Sequence, residues 1–191
     1  MASSSQTIVV IGLGSFGGNV AQELARFGNH VIGIDINEGC VSRYADDLNQ
    51  AMILDVRDEQ ALREAGLGDC DAGLIAIGSE IEASSLAAIN LQVIGVPKIW
   101  ARATSKNHHR ILSRLGVERV VQPEKEVGQH VAQVLHNPLV RDYVSLGNGY
   151  HVVNFKIPEQ LEGKSLESLP YKSQYDLRCV GVMRGSEFLG H

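Results

Sequence analysis

Residues 8–20 read IVVIGLGSFGGNV. Ile8–Ile11 are four β-branched residues in a row, which suits a strand that is apolar on both faces. Gly12, Gly14 and Gly17 then fall in the pattern G-x-G-x-x-G. Phe16, Val20, Leu24 and Phe27 recur at three- and four-residue steps, the spacing of a helix face. Strand, glycine turn and helix in that order form the context in which such a turn holds a nucleotide. The first glycine permits the tight turn. The second lets a pyrophosphate approach the backbone, and the third lets helix pack on strand. The helix, with Ser15 and Phe16 in its first turn, offers free N–H groups and a positive dipole end to phosphates.

Asp35 ends the next apolar run, eighteen residues beyond Gly17. A carboxylate there accepts hydrogen bonds from ribose hydroxyls and repels a 2′-phosphate, which favours NAD, ADP or ATP over NADP. Asp55 and Gly78 close later runs, on the edge where ligands bind in such sheets.

The apolar runs come at Ile8–Ile11, His30–Ile34, Ala51–Leu54, Gly73–Ile77, Ile99–Ala101 and Arg119–Val121. Helical patterns lie between and after them, such as Ile111, Leu112 and Leu115, then Val127, Val131, Val134 and Leu135. Six alternating units predict an α/β, Rossmann-like, doubly wound parallel sheet over residues 1–137. Trp100 and Met52, in strand-like runs, are expected in its core. His108 and His109 are neighbours on a helix, so they diverge by about 100° and are expected in solvent rather than on a shared metal. Ala83, Ser84, Ser85, Ala87 and Ala88 give one helix a small-residue face suited to packing against a second copy.

Beyond Pro138 the pattern changes. RDYVSLGNGYHVVNF reads as a connector and then a strand around Tyr150–Ile157. LEGKSLESLP reads as a turn and a short helix, and LRCVGVMRG as another strand. Residues 138–191 are thus a linker and the start of a small α+β domain, thin for a core of its own and expected to be incomplete.

Composition narrows the function. The 191 residues carry a net charge of -5, which is not the footprint of a nucleic-acid binder. Three dispersed cysteines, Cys40, Cys70 and Cys179, suit a reducing, cytoplasmic setting. No apolar run is long enough to insert into a bilayer. No Tyr-x-x-x-Lys pair, His-Glu-x-x-His or Gly-x-Ser-x-Gly occurs. PEQLEGKS ends like a P-loop, but Pro158 stands where its first glycine belongs, so Gly163–Ser165 reads as a turn and helix start. A nucleotide pocket without catalytic groups points to sensing rather than to an enzyme. The alternative is an NAD-dependent redox protein or small dehydrogenase.

Several longer stretches carry a resemblance: VIGLGSFGGNVAQEL, HVIGIDINEGCVSRYA, LIAIGSEIEASSLAAI and KIWARATSKNHHRILSRLGVERVVQPEKEVG. With the phrases AIG-x-x-I-x-AS and PEK-x-x-G they resemble the RCK (or KTN) domain of regulators of potassium transport, above all the regulatory subunits of Ktr-type uptake systems, with Trk regulators next. LEGKSLESL resembles the opening of that family's C-terminal domain. The resemblance implies a non-enzymatic subunit that pairs through its N-terminal domains and assembles into an octameric ring. It implies a membrane potassium channel subunit as partner, at the inner face of the cell membrane. It implies ATP or ADP as ligand, with NAD(H) in related regulators, and a second effector such as cyclic di-AMP on the C-terminal domain.

By the same resemblance Gly12, Gly14 and Gly17 cradle phosphates. Asp35 holds the ribose, with Ile36 and Asn37 beside it, and Asp55 and Val56 lie by the adenine. Ala76, Ile77 and Gly78 line the pocket. Arg102 stands for a basic residue near the phosphates, and Glu124 for a carboxylate that binds a divalent cation, Mg or Ca, at a subunit interface. On its own residues Glu124 reads as a first-turn acid after Pro123, favourable against the helix dipole. The family commonly reads G-x-G-R-F-G, where the arginine reaches the terminal phosphate of ATP. Here that position is Ser15, a neutral hydroxyl.

Overall fold

The computed structural model describes residues 5–165, 168–169 and 171–190. The chain divides into two compact units between Gly128 and Gln129.

The first unit carries a six-stranded sheet: β1 (Thr7–Ile11), β2 (His30–Asp35), β3 (Gln50–Ile53), β4 (Ala72–Ile75), β5 (Ile99–Arg102) and β6 (Arg119–Val121). Its order is β3-β2-β1-β4-β5-β6, and every neighbouring pair is parallel. Helices α1 (Ser15–Arg26), α2 (Glu38–Tyr44), α3 (Glu59–Glu64), α4 (Ile81–Val93) and α5 (Lys106–Arg114) link the strands. Helix α6 (Pro123–His136) follows β6 and runs on past Gly128. This is the Rossmann-like sheet expected from the alternating runs, with each strand within two residues of its apolar run.

Side chains alternate between two buried clusters because successive strand residues point to opposite faces. Val9, Ile11, Ile32 and Ile34 join Leu62, Leu91 and Leu112 on one face. Val10 and Val31 join Ala21, Val41 and Tyr44 on the other. On α1 the residues Phe16, Val20 and Leu24 pack on this second cluster, whereas Phe27, at the C-terminal cap, stays exposed.

Three readings of individual residues change. The small side chains of α4 do not face outward: Ala83, Ser84, Ala87 and Ala88 are buried within the unit. Close helix-to-sheet packing uses them, and they carry no argument for a second copy. Trp100 is not core. It lies on β5 with 39% of its surface exposed, and the Arg119 guanidinium stands 4.8 Å over its ring, a cation–π contact. Met52 is partly buried against the first cluster, as expected.

His108 is the third. It is fully buried, not solvated. The Thr104 N–H reaches its Nδ1 at 3.5 Å, so Nε2 carries the proton and donates to Ser84 Oγ at 3.1 Å. Both ring nitrogens thereby have partners, which is why a histidine is tolerated there. The neighbouring His109, one residue round the helix, is half-buried.

The described residues of the second unit form two antiparallel hairpins, β7 (Val140–Gly147) with β8 (Tyr150–Phe155) and β9 (Gly181–Arg184) with β10 (Glu187–Gly190). The segment read as a connector is thus strand β7. Its turn, Gly147-Asn148-Gly149, has positive φ at all three residues. The strand expected around Tyr150–Ile157 is β8, and LRCVGVMRG supplies β9. Among the described residues two hairpins therefore stand where two strands were expected, and a helix is formed by α7 (Tyr171–Tyr175). The turn at Gly163 forms, with φ +75° and the Lys164 N–H donating to Leu161 O. The short helix expected after it falls partly on residues 166, 167 and 170, outside the described residues. Among the described residues from Gln129 onward none is buried.

Burial holds the His108 pKa below its ordinary 6.5. Protonation therefore favours the unfolded chain. The stability tied to this group is complete above pH 6.5 and is lost as the pH falls below it. Thermal midpoints measured over that range are expected to drop toward acid, and His108→Gln is expected to flatten the drop. An identical slope in the variant would assign it to other groups.

Candidate functional site

Strand order reverses between β1 and β4, so their carboxyl ends open a crevice, the place where ligands bind in open α/β sheets. The turn Gly12–Gly14 leaves β1 at one side of it, and Ala76–Gly78 leaves β4 at the other. The two exits are tied by the Ala76 N–H donating to Ile11 O at 2.7 Å.

Two of the three glycines of the turn have a steric or conformational reason of their own, and the third has open space. Gly12 has φ +92°, which side chains resist, and its N–H donates to Ile34 O at 2.7 Å. At Gly17 a Cβ would lie 1.9 Å from Gly12 O and 2.7 Å from the Ala76 methyl. At Gly14 a Cβ would meet nothing within 4 Å. No protein atom covers Gly14, so the α1 N-terminus is open there. Gly14 gives α1 no side-chain cap, and its first turn holds no acidic residue. The first N–H groups of α1 have no partner within the helix. Open space, unpaired donors and a positive dipole end together make a cradle for an anion. A shallow apolar groove of about 520 Å³ starts at the same end and follows Phe16, Val20 and Leu24.

Asp35 braces this cradle. Its carboxylate accepts from the Leu13 N–H at 2.7 Å and from the Asn37 N–H at 2.8 Å, one on each oxygen. Each oxygen keeps a free lone pair for a further donor. Asn37 caps α2, its side-chain oxygen accepting from Gly39 and Cys40 N–H groups. Ile36, between them, is largely exposed, an apolar surface beside the carboxylate.

Farther along the edge, Asp55 holds Arg57 in a two-pronged pair, 2.7 Å at its closest. That contact lowers the Asp55 pKa. Val56 is buried in the main cluster, and its carbonyl accepts from the buried Asn90 side chain. Ala76 is buried, whereas Ile77 and Gly78 are half-exposed. Gly78 O accepts from Thr104 Oγ1 at 3.1 Å.

Arg102 stands between the two exits. Its guanidinium lies 5.8 Å from the Phe16 ring centroid. A Cβ on Gly78 would come within 3.0 Å of its Nη1. Nη2 donates to Glu124 in an ion pair, while Nε is buried without an acceptor. The Glu124 pKa is lowered, first by its own backbone N–H at the start of α6 and then by Arg102. Thr104, the link between Gly78 and His108, was not foreseen. Gly18 was also missed: a Cβ there would strike the Tyr44 ring at 2.1 Å, and a fourth glycine directly after Gly17 was the available signal.

Among the described residues no cluster of three His, Cys, Asp or Glu side chains could hold a metal ion. Among the same residues no helix is long and apolar enough to cross a membrane.

A doubly wound sheet with an open glycine turn at its switch point, braced by an acid on β2, defines a Rossmann-type ligand-binding domain. The chain belongs to the TrkA-N domain family, which matches residues 8–123. It is 34% identical to Ktr system potassium uptake protein A of Bacillus subtilis, over 93% of this chain and 80% of that protein. It is 32% identical to the protein of the same name from Vibrio alginolyticus, over 99% and 86%. Among solved structures it resembles the AMP-bound Kef C-terminal domain of Shewanella denitrificans at 26% identity, with a TM-score of 0.57 over 69% of this chain and 82% of that one. The GsuK RCK domain shares the fold at 11% identity, with a TM-score of 0.68 over 97% of this chain and 41% of that one.

The glycine contacts separate two roles. Gly17→Ala is expected to cost about 3 kcal/mol of stability, because its clash is with backbone. Gly14→Ala is expected to cost under about 1 kcal/mol, the loss of a glycine cap. Equal losses in denaturant melts would contradict the packing described. Asp35→Ala is expected to cost about 1–3 kcal/mol, because it orphans the N–H of the buried Leu13. An unchanged melt would remove Asp35 as the brace of the turn.

Proposed function

We propose that the chain is a regulatory subunit of a potassium-uptake system that binds an adenine nucleotide at the α1 turn and does not turn it over. The observation that carries the reading is the bare α1 N-terminus at Gly14, where donors face open space beside the Arg102 cation. Phosphates fit there by charge and by room. The ribose fits at Asp35, through the lone pairs its brace leaves free, and Ile36 offers an apolar edge to the base. Val56 contributes its place in the turn after β3 rather than its buried side chain. The relatives in Ktr potassium uptake and the AMP-bound neighbour support this choice of ligand and role.

ADP and ATP are the ligands proposed first, with NAD(H) second. Asp35 disfavours a 2′-phosphate in either case. A divalent cation at Glu124 would draw its remaining ligands from phosphate oxygens and from a second copy. Self-association into a dimer and an octameric ring, and docking of that ring on a membrane channel subunit at the cytoplasmic face, complete the proposal. The nucleotide would then bias the shape of the ring, and the ring the channel. The alternative of an NAD-dependent dehydrogenase gains no support from the sequence, which holds no Tyr-x-x-x-Lys pair.

Calorimetry on the purified chain with ADP and NAD tests the reading. Binding with a dissociation constant in the micromolar range, abolished in Gly14→Val with the melt preserved, is expected. Hydride transfer from NADH to an acceptor above background would overturn the regulatory reading. Absence of any nucleotide binding would overturn the ligand.

A further inference from the structure

We propose that Glu124 latches Arg102, and that the latch makes the pocket count phosphates. A ligand whose phosphate chain ends at the α1 N-terminus leaves the latch closed. One with a further phosphate must take Arg102 from Glu124. This rests on the reading of the α1 turn as an adenine-nucleotide site.

Four observations carry the inference. First, Arg102 is the cation placed beside the turn, between Phe16 on α1 and Gly78 after β4. Gly78 leaves it room, because a Cβ there would stand 3.0 Å from Nη1. Second, its charge is already matched: Nη2 is paired with Glu124. Arg57, farther along the edge, is committed to Asp55, and Ser15 adds no charge. A ligand therefore meets a neutralised cation rather than a free one.

Third, the latched arrangement is imperfect. Nε is buried and has no acceptor, an uncommon state for a buried donor. A guanidinium turned toward a phosphate gains acceptors that the latched one lacks, and planar arginine suits phosphate oxygens. Fourth, Glu124 can let go. Its side chain is 61% exposed. It stands in the first turn of α6, and the helix N-terminus stays with it after Arg102 leaves. The carboxylate then faces water as an ion, favoured by the helix N-terminus. The exchange swaps one partner of Arg102 for another and strands no charge.

The test measures AMP, ADP and ATP affinities in EDTA at fixed ionic strength, for wild type, Glu124→Gln, Arg102→Ala and the double variant. Glu124→Gln is expected to raise ATP affinity about tenfold and ADP affinity less than about threefold. In the Arg102→Ala background the same change is expected to move ATP affinity less than about twofold, because coupled residues are non-additive. EDTA excludes a cation-binding role for Glu124, which would give no gain there. An equal gain for ADP and ATP, a full gain without Arg102, or unchanged ratios would overturn the latch while leaving the nucleotide site intact. No binding of any of the three nucleotides would overturn both.

Discussion

Helix α1 lies so close to the exit of β1 that position 17 has no room for a Cβ, which would stand 1.9 Å from the carbonyl oxygen of Gly12. That contact fixes where the helix begins and where its N-terminus points. Gly12 makes it possible by turning the chain at positive φ. Gly18 extends it, since the Tyr44 ring occupies the place of its missing side chain. With α1 pinned against the sheet, its first N–H groups project over the crevice between β1 and β4. Everything proposed for the pocket follows from that direction.

The charged side chains around the turn each have a partner. Asp35 accepts from the Leu13 and Asn37 amides and keeps lone pairs free, while Asp55 is paired with Arg57 and Glu124 with Arg102. The unmatched elements are the helix N-terminus and the Nε of Arg102. Both lack an acceptor, and an anion supplies one. An anion bound at a braced, half-satisfied turn of this kind would complete its hydrogen bonds.

The sheet was legible because its strands are short apolar runs at regular spacing, and the glycine turn because Gly12 needs positive φ and Gly17 has no room for a Cβ. Asp35 was legible as a candidate by its distance from the turn, but its bracing role was not. A carboxylate that accepts from Leu13 depends on how β1 and β2 lie side by side, which spacing alone does not state. His108 was misread because a polar residue on a helix suits solvent unless partners are known, and Ser84 and Thr104 come from other elements. The small residues of α4 were read as an interface because periodicity reports a face, not what covers it. Strand β7 was missed because RDYVSLG alternates weakly and lies exposed. The pairing of Arg102 with Glu124, across twenty-two residues, left no local pattern.

The central claim is that the α1 turn is where a nucleotide sits. Amide shifts in a nitrogen–proton correlation spectrum, followed during titration with ADP, test it most directly. The account predicts saturable shifts concentrated at Leu13–Gly17, at Ile36 and Asn37 and at Ile77 and Gly78, with little change at the α3 and α5 amides. Saturable binding whose shifts fall elsewhere, with the Leu13–Gly17 amides unmoved, would contradict it.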